Sequence, residues 1–386
     1  MPIDLVSTDR LVRLGQPQGH ASELEVIVKA AVCREFGAPL VVEEIVIDAP
    51  QEGEVAVKVD ACAICHSDVH LIRGEWGGTV PVVAGHEAAG TVTDLGAGVS
   101  RAEPGDRVVV SLLRACGHCF YCILGRPYNC EGEFVLDSET RLHGKDGKPI
   151  AQGIYTGGFA EHVVVDQSQI VPIPEEVPMD HACLLACGVI TGFGAVANTA
   201  RVEPGSNVAI IGAGGVGLNS VQGAVLCGAA RIIAVDLLDN KLEAATLFGA
   251  THTVNAGRQG PVEAVLALTQ GRGVDYAFAT VGSSTVIAQA AQMIRKGGTA
   301  VIVGMPPNED VDFVLNAHHL TWGRTIRGSF MGDTRLSVDV PRLAGLYLQG
   351  RLKLDELISG RYPLTRINDA IEAIERGEAL RNVILF

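Results

Sequence analysis

Four cysteines fall within fifteen residues, as Cys116-x2-Cys119-x2-Cys122-x7-Cys130, in a chain that holds ten. Thiolates at this spacing suit one tetrahedral metal ion, with Zn–S bonds of about 2.3 Å and no position left for a substrate. Such a site is a strut and not a catalyst. The competing arrangement is a disulfide knot, but knots belong to small secreted domains. This chain has 386 residues, and no hydrophobic signal core is evident at its start.

A second set is dispersed. Cys65-His66-Ser67-Asp68-Val69-His70 is followed by Gly85-His86-Glu87-Ala88-Ala89-Gly90 and, much later, by Cys187. Cys65, His86 and Cys187 would give zinc three protein ligands and an open fourth position, the condition for catalysis at the metal. A third set is Gly212-Ala213-Gly214-Gly215-Val216-Gly217, which matches G-x-G-x-x-G between the apolar run NVAIIG and a helical pattern. Gly212 allows the tight turn, Gly214 lets backbone approach a pyrophosphate, and Gly217 lets helix and strand pack closely. Asp236 lies 19 residues past Gly217, at the end of RIIAVD. An acid there accepts from adenosine ribose hydroxyls and repels the extra phosphate of NADP, so NAD is expected. Lys241 is placed to reach the same ribose.

These residues must be held by two kinds of scaffold. From Val26 to about Val177, short β-like runs such as VIVKAAV, EVAVKVDAC and DRVVVSLL are divided by turns, which predicts an all-β barrel or sandwich. The polar, glycine-rich stretch Glu131–Gly158 reads as a surface loop. Beyond Cys187 strands alternate with helices, which predicts a doubly wound parallel sheet. Helices are expected over about 215–228 and 240–248 and in AAQMIRK, with strands in THTVN, VDYAFATVG and TAVIVGM. A helical tail and a last strand, NVILF, close the chain. The predicted division is residues 1–188, with the four-cysteine lobe and an extension over 1–25, then 189–330, then 331–386 returning to the first part.

A formal charge of −14 disfavours nucleic acid and anionic lipid as partners. No run approaches the roughly 20 apolar residues of a membrane span. Cysteines without an export signal suggest a reducing compartment, so a cytoplasmic protein is expected.

The segment Gly85-His86-Glu87-x2-Gly90-x5-Gly96-x2-Val99 resembles the zinc-binding pattern of the zinc-dependent medium-chain alcohol dehydrogenases. Order and spacing of Cys65, His86, the four-cysteine lobe, Cys187 and GAGGVG agree, over about residues 28–386. The match is nearest to the dimeric branch that carries the structural lobe. The resemblance implies a GroES-like β-rich catalytic domain joined to a Rossmann domain, two zinc ions per chain, NAD, and a homodimer, with a tetramer left open. It also implies reversible oxidation of an alcohol, primary and aliphatic or aromatic, to an aldehyde or ketone.

By the same resemblance Ser67 meets the substrate hydroxyl and His70 passes its proton onward through the cofactor ribose. Asp68 holds a ligand histidine, and Glu87 lies behind the metal. His66 and Arg381 face the pyrophosphate, while Thr191, Val216 and Val303 meet the nicotinamide. Ser67, Trp76, Leu112 and Phe134 are expected at the pocket. The glutathione-dependent formaldehyde dehydrogenases are similar in plan, but they place an acid and an arginine where Trp76 and Phe134 fall. Activity on another thiol adduct, or a non-enzymatic nucleotide-binding role on the same fold, are the alternatives.

Overall fold

The computed structural model describes residues 26–386, and the extension expected over 1–25 lies outside them. The Val- and Ile-rich runs of the first half form two β assemblies. A small closed barrel takes β1 (Val26–Cys33), β2 (Val41–Ile47), β4 (Val82–Val83), β7 (Leu142–His143) and β8 (Pro149–Gln152). Beside it a seven-stranded sheet is built around β3 (Glu54–Ala63), which pairs antiparallel with β5 (Glu87–Leu95) and β9 (His162–Asp166). β6 (Arg107–Val110) and β10 (Ile170–Pro172) extend it on one side. On the other side β18 (Arg381–Leu385) pairs with β3 and β17 (Ile358–Pro363) lies outside it. The last strand of the chain thus lies against one of the first.

Residues 207–328 form a parallel sheet of six strands, ordered β13-β12-β11-β14-β15-β16. These are His252–Asn255, Arg231–Asp236, Asn207–Ile211, Val274–Ala279, Ile294–Ile302 and Thr325–Gly328. This is the doubly wound order, with its switch point between β11 and β14, where ligands bind outside the carboxyl ends of the strands. The central strands are apolar almost throughout, because helices cover both faces of a parallel sheet.

Two local expectations need correction. Within AAQMIRK the helix Ser284–Met293 stops early, and Ile294-Arg295-Lys296 already belong to β15. Ile294 is β-branched and fully buried, so it serves the strand better than the helix. Second, the stretch Glu131–Gly158 is not simply a surface loop, because it supplies β7 and β8 of the barrel.

Arg141, beside β7, explains why that stretch is pinned. Its guanidinium donates to both carboxylate oxygens of Glu54, at 2.9 and 2.7 Å, with both side chains under 5% exposed. A third bond reaches Glu139 at 2.9 Å. Arg141→Met strands a buried carboxylate, so chemical denaturation is expected to show a loss of about 3–5 kcal/mol. Adding Glu54→Gln to that variant is expected to restore most of it, and failure of the pair to recover would assign the effect to lost packing.

Candidate metal and cofactor site

Cys65 sits between β3 and the helix α1 (His66–Arg73), as the N-cap of α1. Asp68, the third residue of that helix, completes the cap by accepting the Cys65 backbone N–H at 3.0 Å. Its other oxygen takes Gly85 N–H at 2.9 Å and the Nδ1 of His86 at 2.9 Å. The carboxylate therefore caps a helix and orients a ring at once, and it is 1% exposed. Because Nδ1 donates to Asp68, the second nitrogen of His86 must face the other way.

That nitrogen, Nε2, is buried and has no hydrogen-bond partner among the described residues. An orphaned buried imidazole nitrogen costs free energy unless something binds it. What surrounds it is chemically specific: ligand atoms of Cys65, His86, Glu87 and Cys187 all lie within 4.8 Å of one another, and all four residues are buried. Two thiols and one imidazole form a borderline-soft donor set that fits zinc and leaves a position free.

The protonation pattern agrees. The Cys187 thiol donates to Cys65, which holds Cys65 well below the usual thiol range and Cys187 well above it. The thiolate of Cys65 is further favoured by Arg381 and His86, while burial opposes it. Burial works against charging His86, but Asp68 and Cys65 together raise it well above its ordinary value. A cation in this space would take the place of those shared protons.

Behind the ligands, Glu87 opens β5 and its Oε1 lies 3.0 Å from Nη1 of Arg381. Burial pushes the Glu87 carboxyl up, and the guanidinium of Arg381 opposes that push. Arg381 also donates to Ile64 O at 3.2 Å and is 5% exposed, so it is no surface ion pair. A Cβ placed on Gly188 would come within 1.9 Å of its Nη2, and one on Gly215 within 2.2 Å of its Nε. The side chain thus threads from the metal ligands to the start of the helix Gly215–Leu226.

That helix start has the expected turn. Gly212 holds φ at +98°, a left-handed value that a side chain resists. A Cβ on Gly217 would lie 1.8 Å from Gly212 O, whereas one on Gly214 would meet nothing within 4 Å. The open space above Gly214 is where a pyrophosphate would approach the free N–H groups. Asp236 ends β12 and turns one oxygen to Ala213 N–H at 2.7 Å and the other to Leu238 N–H at 3.1 Å. Each oxygen keeps acceptor capacity for a ribose hydroxyl.

His66 is exposed, yet its surroundings disfavour the charged form through partial desolvation, with Arg381 and Lys241 adding to the effect. The positive charge near this ring therefore comes from Arg381 and Lys241. Thr191 follows Cys187 by one helical turn, with Oγ1 3.5 Å from Met331 Sδ. Val216 is in the first turn of Gly215–Leu226, and Val303 N–H bonds Ala279 O beyond the ends of β14 and β15.

Ser67 is half-buried on the first turn of α1, and its hydroxyl has no partner among the described residues. His70 ends the same face of α1 and pairs through Nδ1 with Glu75. Its ring lies tilted by 32° to that of Trp76, 5.1 Å between centroids. Nothing in the sequence marked Glu75. Leu112 is half-buried against the core, and Phe134 is engaged elsewhere. The guanidinium of Arg114 lies 4.4 Å from the Phe134 ring and 4.2 Å from Tyr155, and it pairs with Asp137. So an arginine does lie against Phe134, supplied from twenty residues earlier in the chain, with its charge already matched.

The four-cysteine lobe is closed in the other sense. Cys116, Cys119, Cys122 and Cys130 also bring their sulfurs within 4.8 Å of one another. Backbone N–H groups of Cys119, Cys122, Cys116 and Gly132 point at these sulfurs at 3.3–3.5 Å. Donation from Cys122 N–H helps hold Cys119 down to about 6. Four sulfurs with no carboxylate or open side fit a structural zinc.

Residues 51–175 match the alcohol dehydrogenase GroES-like domain, and residues 215–346 match the zinc-binding dehydrogenase domain. An NDMA-dependent alcohol dehydrogenase of Amycolatopsis methanolica is 37% identical over 92% of this chain and 98% of its own length. The crystal structure of benzyl alcohol dehydrogenase from Acinetobacter calcoaceticus superposes with a TM-score of 0.87. It is 31% identical and covers 94% of this chain and 99% of that one. A zinc-binding dehydrogenase of Sinorhizobium meliloti 1021, bound to NADP, is 29% identical with a TM-score of 0.77, over 94% and 100%. With both domain matches in place and the relatives aligned nearly end to end, the chain belongs to the zinc-dependent medium-chain alcohol dehydrogenases.

Proposed function

We propose that this oxidoreductase is an NAD-linked dehydrogenase of primary alcohols, aliphatic or aromatic, working reversibly. The observation that carries the reading is the orphaned Nε2 of His86, buried within 4.8 Å of the sulfurs of Cys65 and Cys187. When bound, zinc supplies Lewis acidity and the nicotinamide accepts or returns hydride. Cys65, His86 and Cys187 would hold the metal, with Glu87 and Arg381 as a charged pair behind it. Ser67 offers a free hydroxyl to orient the substrate oxygen. His70, one helical turn further along α1, carries the released proton toward solvent. The GAGGVG turn, His66 and Arg381 would hold the dinucleotide phosphates, and Lys241 would reach the adenosine ribose beside Asp236.

NAD is favoured over NADP by Asp236, whose carboxylate stands where the extra phosphate would come. The apolar character of Trp76 and Leu112, together with likeness to a benzyl alcohol dehydrogenase, supports apolar alcohols. We also propose a cytoplasmic homodimer formed along β16. This strand ends the parallel sheet, with Val314 and Trp322 exposed nearby.

The test is turnover of primary, secondary and aromatic alcohols with NAD or NADP, with and without an added electron carrier. The expected result is oxidation of primary alcohols with NAD at least about tenfold preferred, and Asp236→Gly narrowing that preference by about the same factor. Equal or better use of NADP by wild type would sink the NAD assignment. Failure on every alcohol, carrier included, would favour the non-enzymatic reading.

A further inference from the structure

We propose that Glu75 is the positioning residue for His70, fixing its ring tautomer from the junction between the two domains. The inference rests on the alcohol dehydrogenase reading given above.

α1 ends at Gly74, whose left-handed φ of +75° turns the chain sharply back. Glu75 N–H then bonds to His70 O at 3.0 Å, and this turn brings the Glu75 carboxylate onto His70 Nδ1. Trp76 follows and covers the ring. Two bonds from the parallel-sheet side hold this pair of residues. Trp76 Nε1–H donates to Pro306 O at 3.3 Å, and Asn308 N–H donates to Glu75 O at 3.4 Å. Pro306 and Asn308 lie on the segment that follows β15, next to Val303. His70 is therefore gripped by a carboxylate whose backbone is anchored on the opposite domain.

The chemical consequence is directional. A carboxylate accepts only, so Nδ1 must carry the proton. Nε2 then keeps its lone pair and is the sole acceptor on the neutral ring. A proton released from a substrate hydroxyl enters at Nε2, and the imidazolium so formed is balanced by Glu75. The proton then leaves for bulk water and the ring returns to its starting tautomer. Glu75 is about two-fifths exposed and need not itself be protonated. Without it, a ring in water would spread over both tautomers, and the fraction with a free Nε2 would fall.

The experiment uses the full-length, zinc-loaded protein with NAD bound and histidines labelled with 15N. His70 is assigned by its disappearance in His70→Gln. Long-range 1H–15N correlations are expected to show the Nδ1–H tautomer in wild type and in Glu75→Gln, whose amide oxygen still accepts. Glu75→Leu should shift to mixed or Nε2–H forms. In parallel, kcat for alcohol oxidation should fall about tenfold in Glu75→Leu and under about threefold in Glu75→Gln, with KM nearly unchanged. A buried triad carboxylate costs about 10^4, and the exposure of Glu75 accounts for the smaller figure. Active wild type with the same tautomer and kcat in Glu75→Leu would overturn the role of Glu75 alone. A wild type that oxidises no alcohol would overturn the dehydrogenase reading and this role together.

Discussion

Cys65→Ala is expected to lower bound zinc from about two ions per chain to about one, and to cut alcohol oxidation by at least about 10^4-fold. The reason lies in how few donors face the orphaned His86 nitrogen. Removing Cys65 leaves His86, Cys187 and a carboxylate already drawn toward Arg381. It also removes the group that the Cys187 thiol donates to and that favours the charged form of His86. One buried thiol and one imidazole are then too few donors to hold zinc, which takes three protein ligands in a catalytic site. The four-cysteine lobe shares no residue with this site, so its zinc should remain. Metal analysis and turnover should therefore change together, with the thermal midpoint moving little. A variant that keeps both metals, or keeps its activity after losing one, would place the chemistry elsewhere.

Gly214→Ala and Gly217→Ala are expected to fail in different ways, although both alter one glycine motif. At Gly217 a new Cβ lies 1.8 Å from Gly212 O, and backbone on both sides must move. Overpacking of this kind costs about 1–3 kcal/mol or more, so the upper end is expected, with cofactor binding lost as the turn deforms. At Gly214 the Cβ meets no atom, and φ −78°, ψ −169° is open to alanine. The thermal midpoint should stay within a few degrees of wild type. NAD affinity should nonetheless fall at least about 100-fold, close to 2.7 kcal/mol, because the methyl fills the space left for phosphate. Calorimetric titration with NAD alongside thermal unfolding separates the two. If Gly214→Ala binds NAD normally, the phosphates do not approach over that residue.

Some of this site was legible because its signals are local. The four cysteines of the lobe, the GAGGVG turn and the Cys65–His70 cluster are close in sequence, and short segments allow few arrangements. Asp68 shows the limit of such reading. Its hold on a ligand histidine was implied by the resemblance alone, whereas its cap on α1 and its bond to His86 depend on the helix forming and on β5 returning beside α1. Helix ends were read to within a residue or two where apolar periodicity was strong. They were missed at Ile294, where burial in the parallel sheet overrode the local pattern.

What the sequence by itself determined was the inventory: two metal-binding sets, one closed and one open, a dinucleotide turn with an acid after it, and a β-rich half followed by a doubly wound half. Tertiary structure alone decided the pairings between distant segments. It set Arg381 of the last strand against Glu87, Arg141 against Glu54, Arg114 against Phe134, and the Pro306–Asn308 segment against Glu75 and Trp76. Local spacing reports which side chains share a turn, over a few ångströms and a few residues. Which charges meet across hundreds of residues depends on strand register and on where two sheets meet, and those are settled only when the whole core packs.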